Sequence, residues 1–351
     1  MTVALAVTAC LLTACTADSS PAAPPTLSPP TTEGPPPAGL AGMRTTGGIG
    51  VQVVLATAPP SLFDADHGTT RALSGYPGGD QAVIVQRVGG TPVVLTNRRC
   101  LTGDCDPFTV LVHAGQDGPP RSLGKAWSVA AAADQKSVWL IRQDAPRVCR
   151  LQHVSLTGTE YGHGQPASCT TSLRGETSRG LLISINSDTA QSEDALIEPE
   201  TGRTVRQFPR IEAVAGDRML VSQLADFAVI DLGTGVTKTV PRPTATGDPL
   251  SFVSRDGLSV AVEFANPAWH GTSVQVRDIW LLDLDTLRWE RAPGMPYQTE
   301  NLKMGGLDWS ADGDLVLADG VLAAWHPGEP SWRLGAAALP PDFQSGLAVI
   351  P

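Results

Sequence analysis

The sequence predicts an all-β protein, a run of repeated four-strand units closed into a ring. Three observations predict it. A hairpin pattern returns seven times at even spacing. A second pattern, a polar turn running into a strongly apolar strand, precedes most copies. No stretch sustains the 3.6-residue apolar period of a helix, while 36 glycines and 30 prolines favour turns and extended chain.

The chain begins with segments that carry an address and not a fold. Met1 to Ala14 is apolar and free of charged side chains. It is too short to span a bilayer as a helix, which takes about 20 residues, and it suits the apolar region of a signal peptide. The basic residues that usually precede such a region are missing, which points to a start upstream of Met1. Leu12-Thr13-Ala14-Cys15 resembles the bacterial lipobox, a leucine and two small residues before a cysteine. The resemblance implies cleavage before Cys15 and diacylglycerol on its thiol, each buried methylene contributing about 0.8 kcal/mol of anchoring. Cys10 would be removed with the leader. Residues 15–45 then form the lipidated cysteine and a proline-rich linker. Its prolines remove donors and fix φ, there is little to bury, and it spaces the domain at about 3.1 Å per residue where extended. The propeller domain is placed at 46–351. High Ala, Pro, Gly and Arg usage resembles high-GC actinobacterial proteins, which implies the outer face of the cell membrane.

Four cysteines remain. Cys100 and Cys105 bracket a short loop, and Cys149 and Cys169 bracket a longer one. Outside the cytoplasm disulfides are expected, and pairing within each local excursion, Cys100–Cys105 and Cys149–Cys169, is favoured. Zinc is the competing reading, but the second pair is too widely spaced for it.

The hairpins are Leu62–Leu73, Val110–Leu123, His153–Tyr161, Leu196–Phe208, Val229–Val240, Leu281–Ala292 and Ala323–Leu334. Six intervals separate Gly68 from Gly328, so the unit is about 43 residues, the length of a β-propeller blade. The turn-and-strand segments are Gly78–Gln86, Ala133–Ile141, Thr177–Ile185, Ala215–Gln223, Ser254–Val262 and Ser310–Ala318. Their apolar residues suit core strands buried on both faces between blades. Each unit thus reads inner strand, turn, core strand, loop, outer hairpin. Ser254-Arg255-Asp256-Gly257 and Ser310-Ala311-Asp312-Gly313 resemble the S-P-D-G signature of TolB/WD40-like propeller repeats, both without the proline. That resemblance implies the fold and no particular function. The first unit starts at Val51–Thr57 with no inner strand before it, and Ser345–Pro351 is apolar with nothing after it. The last segment is therefore predicted to complete the first blade and seal a seven-bladed ring, removing the exposed edges that invite aggregation.

Chemistry is harder to find. A net charge of −10 argues against nucleic acid and against membrane contact other than through the lipid. His67, His113, His153, His163, His270 and His326 are scattered without metal-type spacing and read as exposed loop residues. There is no nucleophile elbow or P-loop. Asp283 and Asp285 are placed on one side of an outer strand, where they serve solvation. Asp104 and Asp106 alone supply too few oxygens for calcium. The tryptophans 280, 289, 309, 325 and 332 are expected to pack between blades and on hairpins. Trp269 and His270 sit in a long loop that would suit a partner. No catalytic residue, metal or cofactor is assigned. The reading is a monomeric, membrane-anchored lipoprotein whose propeller is a ligand- or protein-binding scaffold for an unknown protein or small molecule. The alternative is a lyase-, lactonase- or glycosidase-like enzyme using the central funnel. Inner strands supply few acids for it, and Asp308 is a lone candidate.

Overall fold

The computed structural model describes residues 48–350 apart from 77–80, 98–105, 114–117, 186–192, 224, 245, 256–258, 266–274, 295–296, 300–305 and 344–345. Every regular element among them is a strand.

Blade 1 holds β1 (Gln52–Leu55), β2 (Ser61–Asp64) and β3 (Thr69–Ala72). Blade 2 holds β4 (Gln81–Val88), β5 (Thr91–Asn97), β6 (Phe108–Val112) and the first half of β7 (Arg121–Ala131). The second half of β7 opens blade 3, with β8 (Ser137–Ala145), β9 (Val148–Ser155) and β10 (Glu160–Ala167). Blade 4 is β11 (Ser172–Thr177), β12 (Gly180–Ile185), β13 (Glu193–Ile197) and β14 (Thr204–Phe208). Blade 5 is β15 (Ile211–Ala215), β16 (Arg218–Gln223), β17 (Asp226–Asp231) and β18 (Thr237–Val240). Blade 6 is β19 (Pro249–Arg255), β20 (Ser259–Ala265), β21 (Gln275–Asp283) and β22 (Trp289–Arg291), with β23 (Tyr297–Thr299) also paired to β21. Blade 7 is β24 (Gly306–Trp309), β25 (Leu315–Asp319), β26 (Val321–Trp325) and β27 (Arg333–Ala338).

The last strand, β28 (Leu347–Ile350), pairs antiparallel with β1, Gln52 opposite Ile350 and Leu55 opposite Leu347. It is the inner strand of blade 1, so the predicted closure and the seven blades are both observed. The inner strands are neighbours: β28 lies beside β4 and β24, β11 beside β7 and β15, and β19 beside β15 and β24.

Burial follows position in the blade. The second strands β12 and β20 are buried on both faces, as their unbroken apolar runs require. The fourth strands β3, β14 and β18 are almost wholly exposed. Seven core clusters result, one at each seam between blades. Trp309, Trp325 and Trp332 fill the seam between blades 6 and 7, and Trp280 and Trp289 pack at the seam between blades 5 and 6, as expected. Five inner strands, β4, β7, β11, β15 and β19, carry a register shift near the start of their pairing with the next strand. An extra residue there bends the strand and re-aims its side chains around the funnel.

All seven hairpins form where predicted. Five of the six turn-and-strand segments are second strands. The exception is Gly78–Gln86, whose strand β4 is an inner one; the second strand is β5, reached through the left-handed Gly89-Gly90 turn. The run AVIVQ looked doubly buried, but Val83 and Ile84 are exposed. An inner strand has a neighbouring blade on one side and the funnel on the other, and an apolar run does not distinguish these.

Candidate functional site

The funnel opens into a cavity of about 540 Å³ where the inner strands of blades 2, 6 and 7 run into their turns. Val85, Leu307 and Leu347 are its apolar lining, and Gln86, Gln135, Ser254 and Ser310 its neutral polar lining. Among the described residues its charged groups are Arg87 on β4, Arg255 at the end of β19 and Asp308 on β24.

Each is positioned by local structure. Arg255 lies over the ring of Trp309, 5.4 Å from its centroid, a favourable cation–π geometry. Trp309 is itself fixed, 2 % exposed, its indole N–H donating to the Val253 carbonyl across the seam at 3.2 Å. The turn after β24 makes room for the guanidinium. A Cβ on Gly313 would lie 2.0 Å from the Arg255 terminal nitrogen, and φ there is +87°. The charge of Arg87 favours the ionised carboxylate of Asp308. Asp308 accepts from the Val349 N–H of blade 1 and from its own Trp309 N–H, both at 2.8 Å. Burial outweighs these favourable contacts and pushes its carboxyl above the ordinary carboxylate range.

Gln135 shapes the rim from blade 3. It adopts a left-handed backbone, φ 54°. Its carbonyl oxygen would lie 2.1 Å from a Cβ on Gly89, so only glycine fits that close approach.

The residues named from sequence fall elsewhere. Cys149 and Cys169 form the predicted disulfide, Cα atoms 5.3 Å apart. Cys15, Cys100, Cys105, Trp269 and His270 lie outside the described residues. Asp285 is not on the strand with Asp283; it lies in the turn after β21 and meets Arg218 at 2.5 Å. Asp283 holds that turn by accepting from the N–H groups of Asp285 and Thr286, which keeps its carboxyl below the ordinary range. Among the described residues no group of three or more His, Cys, Asp and Glu has a metal-binding arrangement.

The histidines need a correction. His67, His163 and His326 are exposed, but His113 is buried, 6.2 Å from the Tyr76 ring. His153 is stacked on Trp139 at 4.4 Å and tilted against Tyr161 at 4.7 Å. Those rings sit opposite one another on β8, β9 and β10, so cross-strand register made a ladder that spacing along the chain concealed. His153 Nε2 is also 2.6 Å from Ser137 Oγ, which donates to Asp134 Oδ1 at 2.8 Å. This is not a nucleophilic relay, in which the imidazole takes the serine proton and the carboxylate orients the imidazole. Here the serine proton goes to the carboxylate, and Ser137 is fully buried. The trio holds a turn.

Sequence reasoning missed Arg87 and Arg255. Arg255 lies inside a repeat turn, but nothing along the chain marks it as sharing a cavity with Arg87 of blade 2.

No family model matches the sequence, and no curated protein does. The chain is similar to solved structures. A prolyl oligopeptidase B from Galerina marginata superimposes with a TM-score of 0.50 at 9% identity, over 82% of this chain and 48% of that one. This chain therefore spans about half the length of that enzyme. A provisionally assigned 6-phosphogluconolactonase from Bacteroides uniformis also gives 0.50 at 10% identity, over 86% of this chain and 99% of that one. The propeller domain of the trilobed protease from Pyrococcus furiosus is similar at 0.46 and 13% identity, over 73% of this chain and 84% of that one. At such identities the likeness is one of fold.

Proposed function

We propose that the protein is an extracytoplasmic lipoprotein, held to the outer face of the cell membrane through Cys15, whose propeller is a binding scaffold with its ligand site at the funnel. The observation that carries this reading is the cavity itself. It is concave, polar at its charged groups, and built on strands of a closed ring, so its side chains are fixed before a ligand arrives. Its volume of about 540 Å³ suits a metabolite-sized molecule or one inserted side chain of a protein partner. The lipobox-like Leu12-Thr13-Ala14-Cys15 and the proline-rich linker support the address.

An enzyme using the funnel is the second reading, because Asp308 does line the cavity and burial pushes its carboxyl above the ordinary carboxylate range. Against it, each Asp308 oxygen already accepts a backbone N–H, as in a tie between blades 7 and 1. General acid–base work also needs a second group to complete the cycle.

Two measurements test the proposal. Cys15→Ala moves the protein from the membrane fraction to the medium, or leaves it unprocessed; normal processing with detergent-dependent membrane association would remove the anchor. In native mass spectrometry and in-cell crosslinking, wild type carries a bound mass or a defined partner that is lost when Gln86→Trp fills the funnel. An identical catch from the filled variant removes the funnel as the binding site.

A further inference from the structure

The cavity's charge runs against that of the chain. The sequence has 35 acidic and 25 basic side chains. Yet among the described residues the charged lining of the cavity is two arginines and one aspartate. Among the described residues neither Arg87 nor Arg255 has a carboxylate within salt-bridge distance. The other described arginines that are buried or half-buried are all paired: Arg277 with Glu263, Arg333 with Asp314, Arg218 with Asp285, Arg242 with Asp248, Arg142 with Glu160 and Arg150 with Asp144. Surface arginines left in water would need no comment. These two are half-buried, on inner strands of different blades.

Arg255 is also prepared for its position. Its guanidinium carbon lies over the Trp309 ring, and Gly313 removes the side chain that would displace its head. A guanidinium stacked in this way loses little further freedom when its N–H fork meets an oxyanion. Asp308 answers only part of the charge. Its two oxygens are turned to the backbone N–H groups of Trp309 and Val349 and not to either guanidinium.

We infer that the funnel is an anion site, in which Arg87 and Arg255 grip the carboxylate or phosphate group of a metabolite-sized molecule. Gln86, Gln135, Ser254 and Ser310 line the same space with neutral donors and acceptors that suit hydroxyl or amide groups on the rest of the ligand. Val85, Leu307 and Leu347 suit its apolar portion. Carboxylate and phosphate both match the arginine fork, so the shared chemistry is a small oxyanion. The inference rests on the funnel being the binding site.

The test is calorimetric titration of the detergent-solubilised full-length protein at low salt. The probes are inorganic phosphate, succinate and, as a neutral control, erythritol. Phosphate or succinate binds with a stoichiometry of one, and which of them binds more tightly separates a phosphoryl from a carboxylate ligand. Arg87→Gln and Arg255→Gln each weaken that binding at least tenfold. Arg203→Gln, on the exposed hairpin of blade 4, leaves it unchanged. Arg255→Lys keeps the charge without the fork and guards against loss of the stacked side chain disturbing the fold. It binds more weakly than wild type and more tightly than Arg255→Gln. Failure of both anions to bind at millimolar concentration overturns the inference, as does wild-type affinity in both glutamine variants. A native bound mass that persists in Arg87→Gln and Arg255→Gln but vanishes in Gln86→Trp overturns the anion assignment while leaving the funnel as a site.

Discussion

The seams on either side of blades 5 and 6 solve the same problem with opposite chemistry. Between blades 6 and 7, three buried tryptophans form the core. Two of them donate their indole N–H across the seam, Trp309 to Val253 and Trp332 to Pro293. A buried ion pair, Glu263 with Arg277 at 2.6 Å, lies on blade 6 beside it. Between blades 4 and 5 the core is Leu182, Leu196, Phe208, Ile211, Met219, Val221, Ala228 and Ile230. No tryptophan is in that cluster, and a carboxylate does the bridging: Asp194 accepts from Ser184 on its own blade and from the Ile211 N–H of the next. One seam donates side-chain N–H to main-chain carbonyls; the other offers side-chain oxygen to a main-chain N–H. A repeat can therefore keep its backbone plan while the side chains at its seams diverge.

The largest expected effect tests whether the tryptophan seam is the stronger. Trp325→Ala costs about 3–5 kcal/mol in chemical unfolding, the range for removing a large buried aromatic. Met219→Ala, at the aliphatic seam, falls in the lower part of a range of about 2–5 kcal/mol. Equal losses would make the seams energetically alike despite their composition.

The seam between blades 3 and 4 adds a covalent tie. Cys149 and Cys169 both pack there, closing a loop of 20 residues. Reduction lowers stability by about 3 kcal/mol, the chain-entropy value for such a loop. Intact mass of the native protein showing both thiols free would refute the bond, and an unchanged melting temperature on reduction would show that the seam does not need it.

Removing the carboxylate bridge is expected to matter less. Asp194→Ala leaves the Ile211 N–H and the Ser184 hydroxyl without their acceptor, costing about 1–3 kcal/mol. Amide exchange sharpens the comparison. The Ile211 amide loses protection in this variant, while amides at the seam between blades 6 and 7 keep theirs.

Trp289 gives a smaller test. Its indole N–H donates to Pro241 of blade 5 at 2.8 Å, as Trp332 donates to Pro293 one blade later. Trp289→Phe keeps most of the ring and loses the bond, for about 1 kcal/mol. No loss would mean that these indoles act by packing alone.

The smallest effect separates seams from turns. Asp64 holds the first outer turn by accepting from the N–H of His67 and of Asp66, and its side chain meets the His67 ring at 3.0 Å. These contacts, led by the His67 backbone bond, lower its pKa to about 2. A carboxyl with a folded pKa below its unfolded value near ~3.9 stabilises the fold above that pH and loses the contribution as pH falls toward 2. In carbon-detected NMR, Asp64 titrates near the bottom of this window. His67→Ala raises that midpoint only in part, because the main-chain bond from residue 67 remains.

Asp64, Asp231 and Asp283 play one part in three hairpins, each capping a turn with its own carboxylate. Such turns were legible in the sequence because an Asx turn needs only a few consecutive residues. The doubly buried second strands were legible for a similar reason. The funnel was less so. β4 was mistaken for a second strand, since Val83 and Ile84 carry no mark of facing a channel. Asp308 was noticed as an acid on an inner strand, but its two arginine neighbours were not.

The sequence by itself determined the seven units, their period, the hairpins and the local disulfide, because each is written within one strand-turn-strand stretch. Only the tertiary structure decided which strands face the funnel, the register in which β28 meets β1, and that Arg87, Arg255 and Asp308 share one cavity. Those residues come from blades 2, 6 and 7. Their meeting depends on closure of the ring, which sets side by side residues that no single strand-turn-strand stretch contains.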